Sequence, residues 1–226
     1  MYFDYYYVSL VIPMIIFSLI ASFMVKHTFK KYSSFMTLRN VTGSEAVIRM
    51  LQHYGINDVK VERVSGNLTD HYDPRTNVIR LSDTVYNSTS AAAIGVACHE
   101  AGHAVQYAQG YLPIKIRSLI YPVVSLGSKV GIPLILIGFI LGFSPLVSFG
   151  IIFFALATLF EFITLPVEFN ASKRAVEAMS QIDLLNEEEL TAAKKVLTSA
   201  ALTYVASAAV SLANLLRLIL RFSRRR

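Results

Sequence analysis

Within "AAAIGVACHEAGHAVQYAQG", residues 91–110, His99, Glu100 and His103 interrupt a run of small and apolar side chains. Histidines four apart on a helix lie one turn above each other on the same face. Two neutral imidazoles placed that way can share a single ion, each at about 2.0–2.1 Å if the ion is zinc. Glu100 points to the side of that ion, where water would lie. Zinc brings the pKa of water toward ~7, and a carboxylate at that position can take the proton and deliver it to a leaving amine. A lone histidine in an apolar helix is usually structural. Two of them with the glutamate in place form the pattern H-E-x-x-H, and zinc binding becomes the expectation. Ala101 and Gly102 keep this helix slim for a close neighbour.

A hydrolytic zinc site needs a third protein ligand and one open position. The other histidines are His27, after the first apolar run, His53, at the end of a predicted short helix, and His71 in "LTDHYDP". His71 reads as a ligand, a transition-state donor or a turn residue. Among the acids, Glu168 in "LPVEFNAS" stands where the chain leaves an apolar block on the side it entered. It is therefore carried back toward the His99–His103 helix and is the expected third ligand. Glu161 competes from two turns earlier on the same face, deeper in apolar surroundings, and is expected to brace or support. Cys98 points about 100° away from His99 and reads as a small buried residue. As the single cysteine, it excludes an intrachain disulfide framework and a zinc-ribbon site.

The elements that must position these groups are largely apolar. Of 226 residues, 54% are hydrophobic and only 16% charged, with a mean hydropathy of +0.50, which favours a membrane protein. The net charge of +6 gathers beside apolar runs, at Lys26/Lys30/Lys31, Lys115/Arg117, Lys173/Arg174 and Arg221–Arg226. Those clusters suit membrane orientation rather than nucleic acid, since no basic stripe is interleaved with aromatics. Tyrosines, notably in the opening "YFDYYY", take the interfacial role that tryptophan cannot, there being none. Residues 8–25 form an uncharged anchor with its N-terminus outside, because the lysines follow it. From Val130 to Phe160 no residue is charged. "GFSP", 142–145, is the natural turn of a hairpin whose helices reach roughly 122 and 166. Lys129 and Glu161, at similar depth on opposite helices, are expected to pair. The run 198–220 reads either as a fourth span or as a helix packed on the domain.

Between anchor and hairpin, Thr42 and Glu45 fit a capping box for a helix near 44–54, stopped by Gly55. "VKVERV" and "NVIRLS" alternate like strands, and Ser88–Ser90 can cap the motif helix, with Gly110 and Pro113 ending it. Asn186 caps a helix with acids in its first turn. "NVIRLS" is either an edge strand that pairs with an extended substrate or an ordinary internal strand.

The order of anchor, "LTDHYDP", "NVIRLS", "HEAGHAVQ", hairpin, "LPVEFNAS" and "AALTYVASA" resembles the neutral zinc metallopeptidases of bacterial membranes, the YugP-like group, over nearly the whole chain. More distantly it is similar to the HtpX-type gluzincin membrane proteases. The resemblance implies His99, His103 and Glu168 as zinc ligands and Glu100 as general base. In those distant relatives the third-ligand block reads roughly E-x-x-A-D. Here Ser172 ends it, so Asn170 or Ser172 is expected to hydrogen-bond the ligands instead. The reading is a mainly α membrane protein: transmembrane helices plus a small α+β zincin-like metallopeptidase domain with an HExxH helix. Its parts are an anchor (1–26), a cytoplasmic-side catalytic region (27–118), a hairpin (119–167) and a third-ligand segment with a C-terminal helical region (168–226). It is expected in the bacterial cell membrane, multi-pass, hydrolysing membrane or membrane-proximal proteins with zinc. Its partners are the lipid bilayer and a protein or peptide substrate, and not nucleic acid. The alternatives are a metal-binding scaffold and a hydrolase of non-peptide amides.

Overall fold

The computed structural model describes residues 4–223. Tyr2 and Phe3 of the opening tyrosine run and Arg224–Arg226 of the basic tail lie outside the described residues. The chain is mostly helical. A π-helical turn, Tyr7–Val11, leads into α1 (Ile12–Ser33), followed by α2 (Gly43–His53) and a strand β1 (Lys60–Val64). Next come β2 (His71–Asp73), β3 (Val78–Ser82), a single turn α3 (Asp83–Tyr86) and α4 (Ala91–Ala108). Three long helices complete it: α5 (Leu112–Ile140), α6 (Ser144–Gln181) and α7 (Glu187–Ser223). Among the described residues, four helices are long and apolar enough to cross a membrane: Tyr7–Ser33, α5, α6 and α7 through Phe222. The run 198–220 is thus part of one continuous helix.

The ends of these helices follow from local chemistry. Thr42 accepts from the Glu45 amide while the Glu45 carboxylate accepts from the Thr42 amide, closing the capping box of α2. Asn186 and Glu189 do the same for α7. Ser90 caps α4 by accepting from the Ala93 amide at 3.2 Å. Beyond α4, Gly110 takes a positive φ of 69°, the left-handed conformation a helix end requires.

The chain divides into two compact units. One contains the chain up to Ser22, Pro113–Pro166 and the chain from Thr203. It is an apolar helical unit with Leu119, Val123, Leu126, Ile140 and Phe149 among its exposed side chains, a surface suited to lipid. Its hairpin turns at Leu141–Phe143. The two arms meet at small residues: a Cβ on Gly150 would lie 2.7 Å from the Gly131 carbonyl oxygen. Glu161 turns to Ser207 with Arg117 nearby, rather than to Lys129, which is exposed. The expected brace across the hairpin is replaced by a polar contact to α7. Thr158 and Ser211, hydroxyl to hydroxyl at 2.8 Å, repeat that contact one turn away.

The other unit comprises Phe23–Leu112 and Val167–Leu202 and carries the sheet. β3 is its central strand, parallel to β1 with Lys60 opposite Val78 and antiparallel to β2 with His71 opposite Arg80. Of the two readings of "NVIRLS", the internal strand is the one found. Val78, Ile79, Leu81 and Ser82 are all buried, so both faces are covered and the strand lies inside the sheet. β2, within a stretch read only as turn formers, is one edge and β1 the other. Its hairpin to β3 is set by the Asp73 carboxylate, which accepts from the Arg75 amide and the Thr76 hydroxyl, with Asn77 at φ 55°.

Helix α4 runs through the core of this unit. Ala93, Ile94, Ala97, Cys98, Ala101, Ala104 and Val105 pack with Val47 and Met50 of α2 and with Ala175 and Met179 of α6. Burial pushes the Cys98 thiol up to about 12. A maleimide should therefore leave Cys98 unlabelled in the folded protein and label it fully after denaturation. Stoichiometric labelling of the native state would contradict this packing.

Candidate metal centre

Helix α4 presents His99 and His103 on one face, and α6 brings Glu168 to them. The imidazole centroids are 4.8 Å apart and the rings nearly perpendicular, at 82°. One carboxylate oxygen, Glu168 Oε2, stands 3.2 Å from His99 Nε2 and 3.5 Å from His103 Nε2. Among the described residues, these three form the one group of His, Cys, Asp or Glu side chains arranged to hold an ion. A tetrahedral zinc with bonds of 2.0–2.1 Å separates its ligand atoms by roughly 3.3 Å. The two short separations fit that spacing. Glu168 is 2% exposed and His103 8%, while His99 is half-buried, so His99 is the most accessible member of the cluster.

The groups behind the ligands decide which atoms face inward. Gln106, fully buried, donates through Nε2 to the Val167 carbonyl at 2.8 Å and to Asn170 Oδ1 at 3.0 Å. Arg174 Nε donates to the same Asn170 oxygen at 2.7 Å, which fixes that oxygen as an acceptor. With its amide nitrogen so committed, Gln106 turns Oε1 to His103 Nδ1 at 3.0 Å. Nδ1 must therefore carry a proton, and Nε2 is the ring nitrogen that faces Glu168. His99 Nδ1 lies 3.0 Å from the Ser172 hydroxyl. Both residues proposed to replace the missing aspartate thus take part, Ser172 directly and Asn170 through Gln106.

An imidazole lone pair facing a carboxylate oxygen across 3.5 Å is repulsive unless a proton or a cation lies between them. Burial alone would lower the His103 pKa, but the hydrogen bond and charge of Glu168, with Glu100 adding, hold it above its ordinary value. The pocket is built to attract positive charge.

Glu100 is half-buried. Asp70 lies close enough to feel the charge of Glu100, and its carboxylate accepts from the Ser82 amide at 2.7 Å and the Ser82 hydroxyl at 2.9 Å. Burial pushes the Asp70 carboxyl up, the Ser82 bonds oppose this, and Glu100 adds to the rise. The remaining histidines stand elsewhere. His71 is exposed on the edge strand with Nδ1 on the Thr69 carbonyl, His53 meets Gln181, and His27 stacks on Phe23. Glu161 lies outside the three-residue cluster. Sequence reasoning did not single out Gln106 or Asp70. The signal for Gln106 was its place three residues after His103, on the same helical face; Asp70 offered none until the β2–β3 hairpin was built.

A model of the family described as "Putative neutral zinc metallopeptidase" matches residues 7–223. The chain belongs to this family. It is 47% identical over 202 residues to a protein of Bacillus subtilis (strain 168) named "Putative membrane protease YugP", covering 89% of this chain and 90% of that one. No solved structure matches it. The family description names zinc, and the donor set of His99, His103 and Glu168, two imidazole nitrogens and a carboxylate oxygen, suits that ion.

Two substitutions probe this centre. Gly102→Ala would place a Cβ 2.6 Å from the Ala171 carbonyl oxygen, where α4 and α6 touch. It should cost about 1–3 kcal/mol of stability, read as a lower thermal midpoint. Gln106→Leu removes the acceptor that orients His103. Its zinc affinity, measured against a competing chelator, should fall by about 10–100-fold; unchanged affinity would remove Gln106 from the site.

Proposed function

We propose that this family member is a membrane-embedded zinc endopeptidase that hydrolyses peptide bonds of membrane or membrane-proximal proteins. The observation that carries the reading is the convergence of His99 Nε2, His103 Nε2 and Glu168 Oε2, with the His103 tautomer set by Gln106. His99, His103 and Glu168 would hold the ion in a zincin-like arrangement, and three protein ligands leave a position for water and substrate. When bound, zinc supplies a Lewis acid that polarises a carbonyl and makes water acidic near neutral pH.

Glu100 is the general base. It follows His99 directly on α4, so its carboxylate flanks the ligands rather than joining them. It takes a proton from the attacking water and passes it to the departing amine. Ser172 and Gln106 keep the imidazoles oriented. An extended substrate pairs with the outer edge of β2, the edge strand that packs on α4 through Tyr72 and Tyr107, ring centroids 5.6 Å apart.

The site faces the cytoplasm of a bacterial cell: Lys26, Lys30 and Lys31 follow the first span, and Lys173 and Arg174 follow Glu168. Both groups sit on chain segments of the sheet-bearing unit.

Glu100→Gln should keep zinc at one equivalent per chain while peptide hydrolysis falls by at least about 10²-fold. Cleavage at the parental rate would rule out Glu100 as base. Full zinc loading of the parent protein without hydrolysis of any peptide in a broad panel would favour a metal-binding scaffold.

A further inference from the structure

The apolar helical unit contains a groove remote in sequence from the candidate metal ligands. One face of α5 and the final turns of α7 line it, with Phe154 of α6 between them. Its volume is about 350 Å³, within the usual range of ligand pockets. Ile132, Leu136 and Phe139 recur at helical spacing along the α5 wall. Opposite them, Arg217 and Arg221, four apart on α7, place two guanidinium groups at the same groove.

The charges do not balance. Both arginines bind a single carboxylate: Arg217 Nε lies 2.9 Å from Asp4 Oδ2 and Arg221 Nη1 lies 2.8 Å from that same oxygen. Arg217 also stacks over the Tyr7 ring at 4.8 Å. Among the described residues at this groove, two cations thus face one anion, and both remain partly accessible, with side chains 24% and 38% exposed. Arginine within a membrane-spanning helix is costly unless its charge is met. Guanidinium is also the side chain best matched to a phosphate oxygen pair. Ile132, Leu136 and Phe139 are exposed, at 51%, 57% and 45%, so an accessible apolar wall lies beside a pair of arginines that, among the described residues, share one carboxylate.

The geometry points to a binding site for one anionic phospholipid, with its acyl chain along the α5 wall and its phosphate on Arg217 and Arg221. An anionic lipid supplies both missing elements, a hydrocarbon chain and a negative charge, in a single molecule. A zwitterionic lipid carries its own ammonium and leaves the excess unmet. The site does not depend on the protease reading, because none of its residues belongs to the candidate metal centre.

Native mass spectrometry of the delipidated full chain tests this with phosphatidylglycerol and phosphatidylcholine of matched acyl chains. One phosphatidylglycerol should survive activation that strips phosphatidylcholine. Arg217→Gln/Arg221→Gln should bind phosphatidylglycerol roughly thirtyfold more weakly. Should that variant fold poorly by circular dichroism, Leu136→Trp decides the matter. It fills the groove from an exposed position, leaves both arginines intact and should also lose the lipid. Glycerophosphoglycerol, the headgroup without chains, should show no retained adduct; if it binds as well as the lipid, the site is for a soluble phosphate ester. Equal retention of the two lipids, or parental binding by a folded variant of either kind, would overturn the proposal.

Discussion

His99 Nε2, His103 Nε2 and Glu168 Oε2 converge where only a proton or a cation can hold them together, and this constraint organises the sheet-bearing unit. Left to themselves, the two imidazoles would rotate away or Glu168 would swing to solvent. The imidazoles cannot, because each is fixed from behind, and Glu168 is almost wholly buried. Ser172 and Gln106 hold the imidazole Nδ1 atoms, and Gln106 is in turn held by Val167 and Asn170 from the same turns of α6 that carry Glu168. The amide thus ties the two helices together while it orients a ring. A buried polar network of this kind is stable only when every member is satisfied, and a cation at the centre completes the set.

The same constraint explains the composition of α4. Gly102 lets the α6 backbone approach to contact at Ala171, and Gly95 meets Ala193 of α7. Larger residues at these positions would push the carrying helices apart and lengthen separations of 3.2 and 3.5 Å that have little room to grow. A helix rich in alanine also buries little apolar area per residue. Much of the core is therefore supplied by larger partners such as Met50, Ile79, Leu81 and Met179.

The parts of this architecture that were legible in the sequence were those written in local patterns. The Thr42–Glu45 capping box, the Ser90 cap, the turn at "GFSP" and the four-residue spacing of the histidines each depend on residues within a few positions of one another. Glu168 was reachable because an uncharged hairpin must return the chain to the side it left. What was hidden depends on distant partners. Whether "NVIRLS" sits at an edge is settled by β1, which its own residues cannot indicate. Glu161 was matched to Lys129 by depth alone, whereas the side chain that meets it, Ser207, lies on a helix whose placement the sequence left open. Gln106 resembled any polar residue near a helix end until α6 was beside it.

The hairpin between His103 and Glu168 also has a consequence for the order in which the molecule can be made. Synthesis proceeds from the N-terminus, so His99 and His103 leave the ribosome first, 69 residues ahead of the carboxylate that His99 meets. Both arms of the hairpin, with the whole uncharged stretch from Val130 to Phe160, must exist before Glu168 does. No nascent chain arrested short of the hairpin can hold all three acceptors, whatever its local folding. The triad is therefore withheld from the unfinished polypeptide by the arrangement of the chain itself.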